Sequence, residues 1–284
     1  MRALAPGVCL LIQRHSFTVV KATSWLMQIA LRQQKGLTQL MLTPRTITDL
    51  AIAAVATAST ASILTHAALS PQSQLFGHTL IAGNDPKEIA LTYDDGPNDA
   101  ATPELLEILA QHNARATFFM IGKFVRQRPD IVRAVHAAGH LVANHTMTHP
   151  WLSVESSSRI REELRGCNEA LEDVLGAPVR YVRFPHGARR PATLRIAAEL
   201  GLTPVQWNAM AFDWKPLSTE RMLALVAGGM RRNLRHGRGS NILLHDGFDQ
   251  AMGTDRSATL QLTRRLLEDA TRENHRTVTV DAWS

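Results

Sequence analysis

The sequence predicts an α/β fold of about seven parallel strands closed into a (β/α) barrel, preceded by a non-globular N-terminal segment. Three observations predict it. Short apolar runs alternate with helix-period stretches from residue 76 onward, glycines close several of the helical stretches, and nearly every unusual polar residue falls just after a strand. With 284 residues, 45% hydrophobic and 20% charged, the chain is long enough for such a barrel and too apolar to be largely disordered.

The strands are expected at 89–92, 116–121, 141–143, 179–183, 203–207, 241–245 and 277–280. Helical periodicity occupies 101–112, 128–138, 155–175, 191–200, 218–235 and 257–274. Gly139, Gly176 and Gly201 each follow such a stretch, where a left-handed residue ends a helix without a Cβ penalty. The repetition implies a parallel sheet, doubly wound or closed. The gathering of polar residues at strand exits favours the barrel.

Residues 1–70 differ from the rest and read as a leader, with the globular part at 71–284. The leader holds six basic residues (Arg2, Arg14, Lys21, Arg32, Lys35, Arg45) and one acid, Asp49, a charge of +5. The whole chain carries +6, which leaves +1 for residues 71–284 and excludes a nucleic-acid-binding globular part. The cluster Arg231, Arg232, Arg235 and Arg238 sits at a predicted helix end, where cations complement the dipole. Within the leader, 50–65 is an uncharged run rich in Ala, Ser and Thr, short for a membrane span. With Arg45 before it, the run reads as an export signal or membrane anchor, against an Ala-rich surface helix; Met41 offers an alternative start. Export places the protein in the cell envelope or outside the cell, and otherwise it is cytoplasmic. Two cysteines, Cys9 and Cys167, exclude a disulfide scaffold and a multi-cysteine metal site.

Five strand exits carry the candidate site: Asp94-Asp95-Gly96-Pro97, His145 with His149, Arg183-Phe184-Pro185-His186-Gly187, Asp213-Trp214, and His245-Asp246. The i, i+4 histidine pair suits one metal, but 12 histidines in 284 residues produce about half such a pair by chance (12 × 12/284), and His136 with His140 is a second. Position separates them, because only His145 and His149 follow a strand. Adjacent carboxylates on an extended backbone point opposite ways, so one of Asp94 and Asp95 can ligate a metal while the other acts as a base. One Asp and two His with a water in the open position is a hydrolytic arrangement. Arg183, amid Tyr181, Val182, Phe184 and Pro185, calls for a paired acid. His245 can donate a proton near neutral pH, with Asp213 to orient it and Trp214 as a pocket wall.

From about residue 76 to 281 the chain resembles the polysaccharide deacetylases, carbohydrate esterase family four, whose catalytic domain is a distorted (β/α) barrel. The resemblance rests on five motifs in order: Thr92-Tyr93-Asp94-Asp95-Gly96-Pro97, His145-Thr146-Met147-Thr148-His149-Pro150, Arg183-Phe184-Pro185-His186-Gly187, Asp213-Trp214 and Leu243-Leu244-His245-Asp246. It implies that Asp95, His145 and His149 hold a divalent metal, usually zinc, and that Asp94 is the general base, tuned by Arg183. His245 is then the general acid, oriented by Asp213; Trp214 and Leu243 line the acetyl-methyl pocket, and the His186 backbone N–H helps hold the oxyanion. The implied activity is removal of N-acetyl groups from amino sugars of a glycan, chitin oligomers or peptidoglycan, with an O-acetyl esterase on a glycan such as xylan as the alternative. Two positions depart from the family pattern. Tyr93 replaces the usual Phe and needs a partner for its hydroxyl, and His186 replaces a common Tyr, which changes what the sugar meets.

Overall fold

The computed structural model describes residues 44–284. The basic residues from Arg2 to Lys35, Cys9 and the Met41 start lie outside the described residues. Residues 60–284 form one compact unit.

Helix α1, Pro44–Leu69, is longer than the 50–65 run expected from sequence. Its Ile47–Leu69 stretch is 23 residues with mean hydropathy 1.6, long and apolar enough to cross a membrane by length and composition. Asp49 and His66 do not end it, because one polar side chain in a turn leaves helical hydrogen bonding intact.

Strands β1 (Glu88–Gly96), β2 (Ala116–Met120), β3 (Leu141–Asn144), β4 (Tyr181–Val182), β5 (Thr203–Pro204), β6 (Ala209–Met210), β7 (Ser240–His245) and β8 (Arg276–Thr277) make one sheet. Seven run in the order β5-β4-β3-β2-β1-β7-β6, all parallel, and β8 pairs with the start of β1. Among the described residues β5 and β6 end the path without pairing each other, so the barrel is distorted and open there.

The crossovers are α2 (Thr102–Gln111), α3 (Gly122–Gln127), α4 (Pro129–Ala137), α5 (Ser157–Leu175), α6 (Pro191–Glu199), α7 (Thr219–Arg235) and α8 (Ser257–Arg272). Their ends are legible in sequence. Ser156 and Ser218 accept from Arg159 N and Arg221 N as N-caps of α5 and α7. Gly139, Gly176 and Gly201 have φ of 79°, 65° and 71°, the left-handed conformation expected of them. Arg232 and Arg235 lie in the last turn of α7, as cations at a helix C-terminus should.

Period-two alternation divides the sheet into two faces. Leu91 and Tyr93 of β1 and Ile242 and Leu244 of β7 pack with Leu105, Leu109, Leu262 and Leu266 under the helices. Each such side chain contributes roughly 1.5–3 kcal/mol on burial. The opposite face carries Ala90, Thr92 and Asp94 from β1 and Asn241, Leu243 and His245 from β7, so the rim is polar because the strands alternate. The Tyr93 hydroxyl, buried by this pattern, has its partner in Thr263 Oγ1 at 3.0 Å.

Three expectations change. The strand expected at 203–207 is only two residues long, and β6 was not foreseen, so Asp213 follows β6. Helix α3 adds a turn of helix between β2 and α4. The last strand stops at Thr277 and gives way to a 3₁₀ turn, Val280–Trp283.

Arg189, fully buried, fastens residues 68–73 to the loop after β4. Its backbone N–H donates to Ala68 O at 3.0 Å, and its guanidinium donates to Gly187 O (3.0 Å), Ser70 O (2.8 Å) and Ser73 O (2.5 Å). Arg189→Ala strands those carbonyls without donors, and stability is expected to fall by about 2–4 kcal/mol, read as a lower urea midpoint at unchanged slope.

Candidate active site

The site lies where β1, β3, β4 and β7 end. At the end of β1 the pairing with β2 passes from Asp94↔Phe119 to Gly96↔Met120, so Asp95 is an extra, bulged residue. Its φ is 73°, a left-handed value that Asp tolerates better than most residues. This corrects the sequence argument: the two carboxylates diverge because of a bulge, not by plain alternation. At Gly96 a Cβ meets Asp246 Oδ2 at 2.5 Å, so a larger residue there displaces that buried carboxylate.

Asp95, His145 and His149 converge as expected. Asp95 Oδ1 lies 3.4 Å from His145 Nε2 and 3.3 Å from His149 Nε2. That oxygen is buried with no hydrogen-bond donor. His145 Nδ1 is 2.8 Å from the Arg183 carbonyl, which accepts its proton and leaves the Nε2 lone pair facing Asp95. Burial opposes a charge on His145, yet Asp94 and Asp95 raise its pKa. Burial likewise opposes a charge on Asp95, and His145, His245 and His149 outweigh it, holding its carboxyl well below the usual range. The pocket favours positive charge against Asp95, and one carboxylate with two imidazoles is a donor set that suits a divalent cation such as zinc.

Arg183 leaves β4 and runs into the barrel interior, fully buried. Its Nη1 donates to Asp94 Oδ1 and Thr92 Oγ1, both at 2.8 Å, and Nη2 to Asn241 Oδ1 at 3.3 Å. The guanidinium carbon sits 4.1 Å from the Phe119 ring centroid, a cation–π contact. The second oxygen of Asp94 lies 3.8 Å from His145 Nε2.

Asp213, after β6, accepts from His245 twice: from the ring Nδ1 and from the backbone N–H, both at 2.8 Å. Thr259 Oγ1 adds a third bond at 2.9 Å. Burial works against a charge on His245, but the Asp213 carboxylate overrides it and the pKa rises to about 9. Trp214 is 46% exposed and meets the His245 ring edge-on at 5.0 Å. Leu243 is buried in β7, two residues before His245 on the same face. His186 adopts φ 60°, stacks on Trp151 at 3.9 Å and meets His149 edge-on at 4.7 Å. The structure thus brings the predicted site residues to one end of the sheet.

In the second histidine pair His136 is exposed on its helix, and His140 is structural. His140 Nδ1 accepts from Ala116 N at 3.3 Å, and burial lowers its pKa to about 4. Cys167 is also buried, which pushes its thiol up to about 12, so it is no nucleophile.

Two acids here were not singled out in the sequence. Glu163 on α5 accepts from Thr148 N (2.7 Å) and Oγ1 (2.6 Å), fixing the turn between the two histidines. Asp249, after β7, places Oδ2 3.4 Å from His149 Nδ1. Glu163 looks like any helix-face acid, and Asp249 stands in a polar loop; neither carries a local signal.

The family description for polysaccharide deacetylase matches residues 82–205. A chitooligosaccharide deacetylase of Sinorhizobium fredii is 38% identical over 179 residues, 62% of this chain and 80% of that protein. A peptidoglycan-N-acetylglucosamine deacetylase of Bacillus cereus is 33% identical over 199 residues, 69% of this chain and 88% of that one. Among solved structures, the Bc1960 peptidoglycan N-acetylglucosamine deacetylase aligns with a TM-score of 0.65 at 28% identity, over 72% of this chain and 91% of that chain. The chain belongs to the polysaccharide deacetylase family.

Arg183→Met leaves the Asp94 carboxylate buried without its cation. The substitution is expected to cost about 3–5 kcal/mol of stability at neutral pH, read from urea unfolding.

Proposed function

We propose that the chain is a metal-dependent hydrolase that removes N-acetyl groups from amino sugars of a glycan, chitin oligomers or peptidoglycan-type strands. The observation that carries this reading is the meeting, at one strand-end rim, of an Asp–His–His cluster, an Arg-paired carboxylate and an Asp-paired imidazole. Asp95, His145 and His149 are the residues that would hold a divalent cation, zinc by donor type. When bound, the ion polarises the acetamide carbonyl and makes water acidic near neutral pH.

Asp94 takes a proton from the attacking water, with Arg183 holding its carboxylate in a fixed direction. His186 contributes a backbone N–H to the oxyanion, and Trp214 and Leu243 line the wall against the acetyl methyl. His245, charged and held by Asp213, gives its proton to the departing amine as the C–N bond breaks. Acetate and a free amino sugar result. The apolar stretch of α1 supports export or membrane anchoring of the 1–70 leader, with 71–284 as the catalytic part in the cell envelope or outside the cell.

Acetate release from N-acetylglucosamine oligomers and peptidoglycan is the test. Activity is expected to vanish with a chelator and return with zinc. Zinc-loaded enzyme that left both substrates intact but cleaved acetylated xylan would replace this reading with an O-acetyl esterase. Asp94→Asn is expected to lower kcat by about 10²–10⁴-fold with zinc binding retained.

The pH profile follows from His245. Its raised pKa keeps it protonated at neutral pH, so the alkaline limb of kcat/KM lies near pH 9. Asp213→Asn removes the carboxylate that raises it, and the limb moves down toward the ordinary histidine value of 6.5. An alkaline limb that did not move would exclude His245 as the acid.

A further inference from the structure

The two histidines of the cluster differ at the nitrogen that faces away from Asp95. His145 Nδ1 is satisfied by the Arg183 carbonyl at 2.8 Å. His149 Nδ1 is buried and makes no hydrogen bond, although the Asp249 carboxylate stands 3.4 Å from it. A histidine that offers its Nε2 lone pair to a cation carries its proton on Nδ1. Left buried without an acceptor, that N–H is costly, and the ring is free to rotate or change tautomer. Asp249 Oδ2 needs only a small realignment to accept it.

The loop that carries Asp249 is pinned on both sides. Arg256 Nε donates to Gly247 O at 2.7 Å, and Lys123 Nζ donates to the carbonyl of Asp249 itself. Asn98 donates to Thr254 O at 2.8 Å and accepts from Gly253 N at 3.1 Å. Gly247 packs so tightly on the Asp95 carbonyl that no Cβ fits. A carboxylate on an exposed polar loop is usually mobile. This one is held from α3, from Arg256 just before α8 and from the turn after β1.

We propose that Asp249 is a positioning residue for the metal site: it fixes the tautomer and orientation of His149 and thereby raises the affinity of Asp95, His145 and His149 for a divalent cation. The assignment rests on the metal reading above and adds to it a fourth side chain that touches neither the metal nor substrate.

Zinc affinity of the full chain, measured by competition with a chromophoric chelator, tests it for wild type, Asp249→Ala and Asp249→Asn. D249A is expected to bind zinc about 10–100-fold more weakly, as for other carboxylates behind a ligating histidine. D249N, which keeps an accepting oxygen without the charge, is expected to fall between the two. The His149 ring, read by ¹H–¹⁵N NMR in metal-free protein, is expected to hold its proton on Nδ1 in wild type and to lose that preference in D249A. Equal zinc affinities in wild type and both variants overturn this assignment while leaving the metal site intact. A wild-type chain that takes up no zinc overturns the metal reading itself and this assignment with it.

Discussion

The site depends first on the pairing of Arg183 with Asp94 inside the barrel. A guanidinium with no exposed surface is expensive to bury, and burial alone lowers its hold on its proton. The cost is offset by the Asp94 carboxylate, by Thr92 and Asn241, and by the Phe119 ring. The same residue acts through its backbone as well. Its N–H donates to Asn144 O at 3.0 Å, and its carbonyl receives the His145 Nδ1 proton. One position thereby sets the direction of a carboxylate and of an imidazole on a neighbouring strand end. Lys cannot reproduce the fork, because Nη1 and Nη2 reach different strands at once.

Around this pair the backbone is strained. Of seven non-glycine residues with positive φ among the described residues, five lie at the rim: Asp95, Thr146, His149, His186 and Phe212. The other two, Asn113 and Asn274, are of a type that tolerates the conformation. For β-branched Thr146 and bulky Phe212 it is costly, on the order of 1–3 kcal/mol each. Such residues persist where the surroundings over-determine them. Asn144 Oδ1 receives Thr146 N at 2.7 Å, and Glu163 takes both donors of Thr148, so the turn carrying the two histidines is held from beneath.

Much of this was legible in the sequence, for physical reasons that also explain what was not. Strand exits can be read because apolar runs end abruptly, and in a parallel α/β fold all those ends share one face. Asp94, His145, Arg183 and His245 are therefore located by the period of the chain alone. Asp213 lies on the expected rim but follows β6 and not the fifth apolar run, because a two-residue strand such as β6 leaves no periodicity. The bulge at Asp95 was illegible, since it is defined by what lies opposite on β2. Asp249 and Glu163 act on a histidine and a threonine of another element, 100 and 15 residues away, and nothing local marks them. The apolar stretch runs from Ile47 across Asp49 and past His66 to Leu69, because a single charged or polar side chain does not interrupt a helix, and so the uncharged run 50–65 understates its length.

The two carboxylate-centred pairs that flank the cluster are built to opposite ends. Asp213 accepts three hydrogen bonds, two from His245 and one from Thr259, and its pKa is lowered by His245 against the effect of burial. A carboxylate so saturated has little capacity to take a proton, and its negative charge is spent on keeping the imidazole charged. Asp94 commits one oxygen to Arg183, while the other is turned toward the Asp95–His145–His149 cluster. That oxygen accepts no hydrogen bond from Arg183, Thr259 or a backbone N–H. Two aspartates on one rim are thus divided by their hydrogen-bond partners: one is saturated by its imidazole and Thr259, and the other leaves an oxygen turned to the Asp95–His145–His149 cluster.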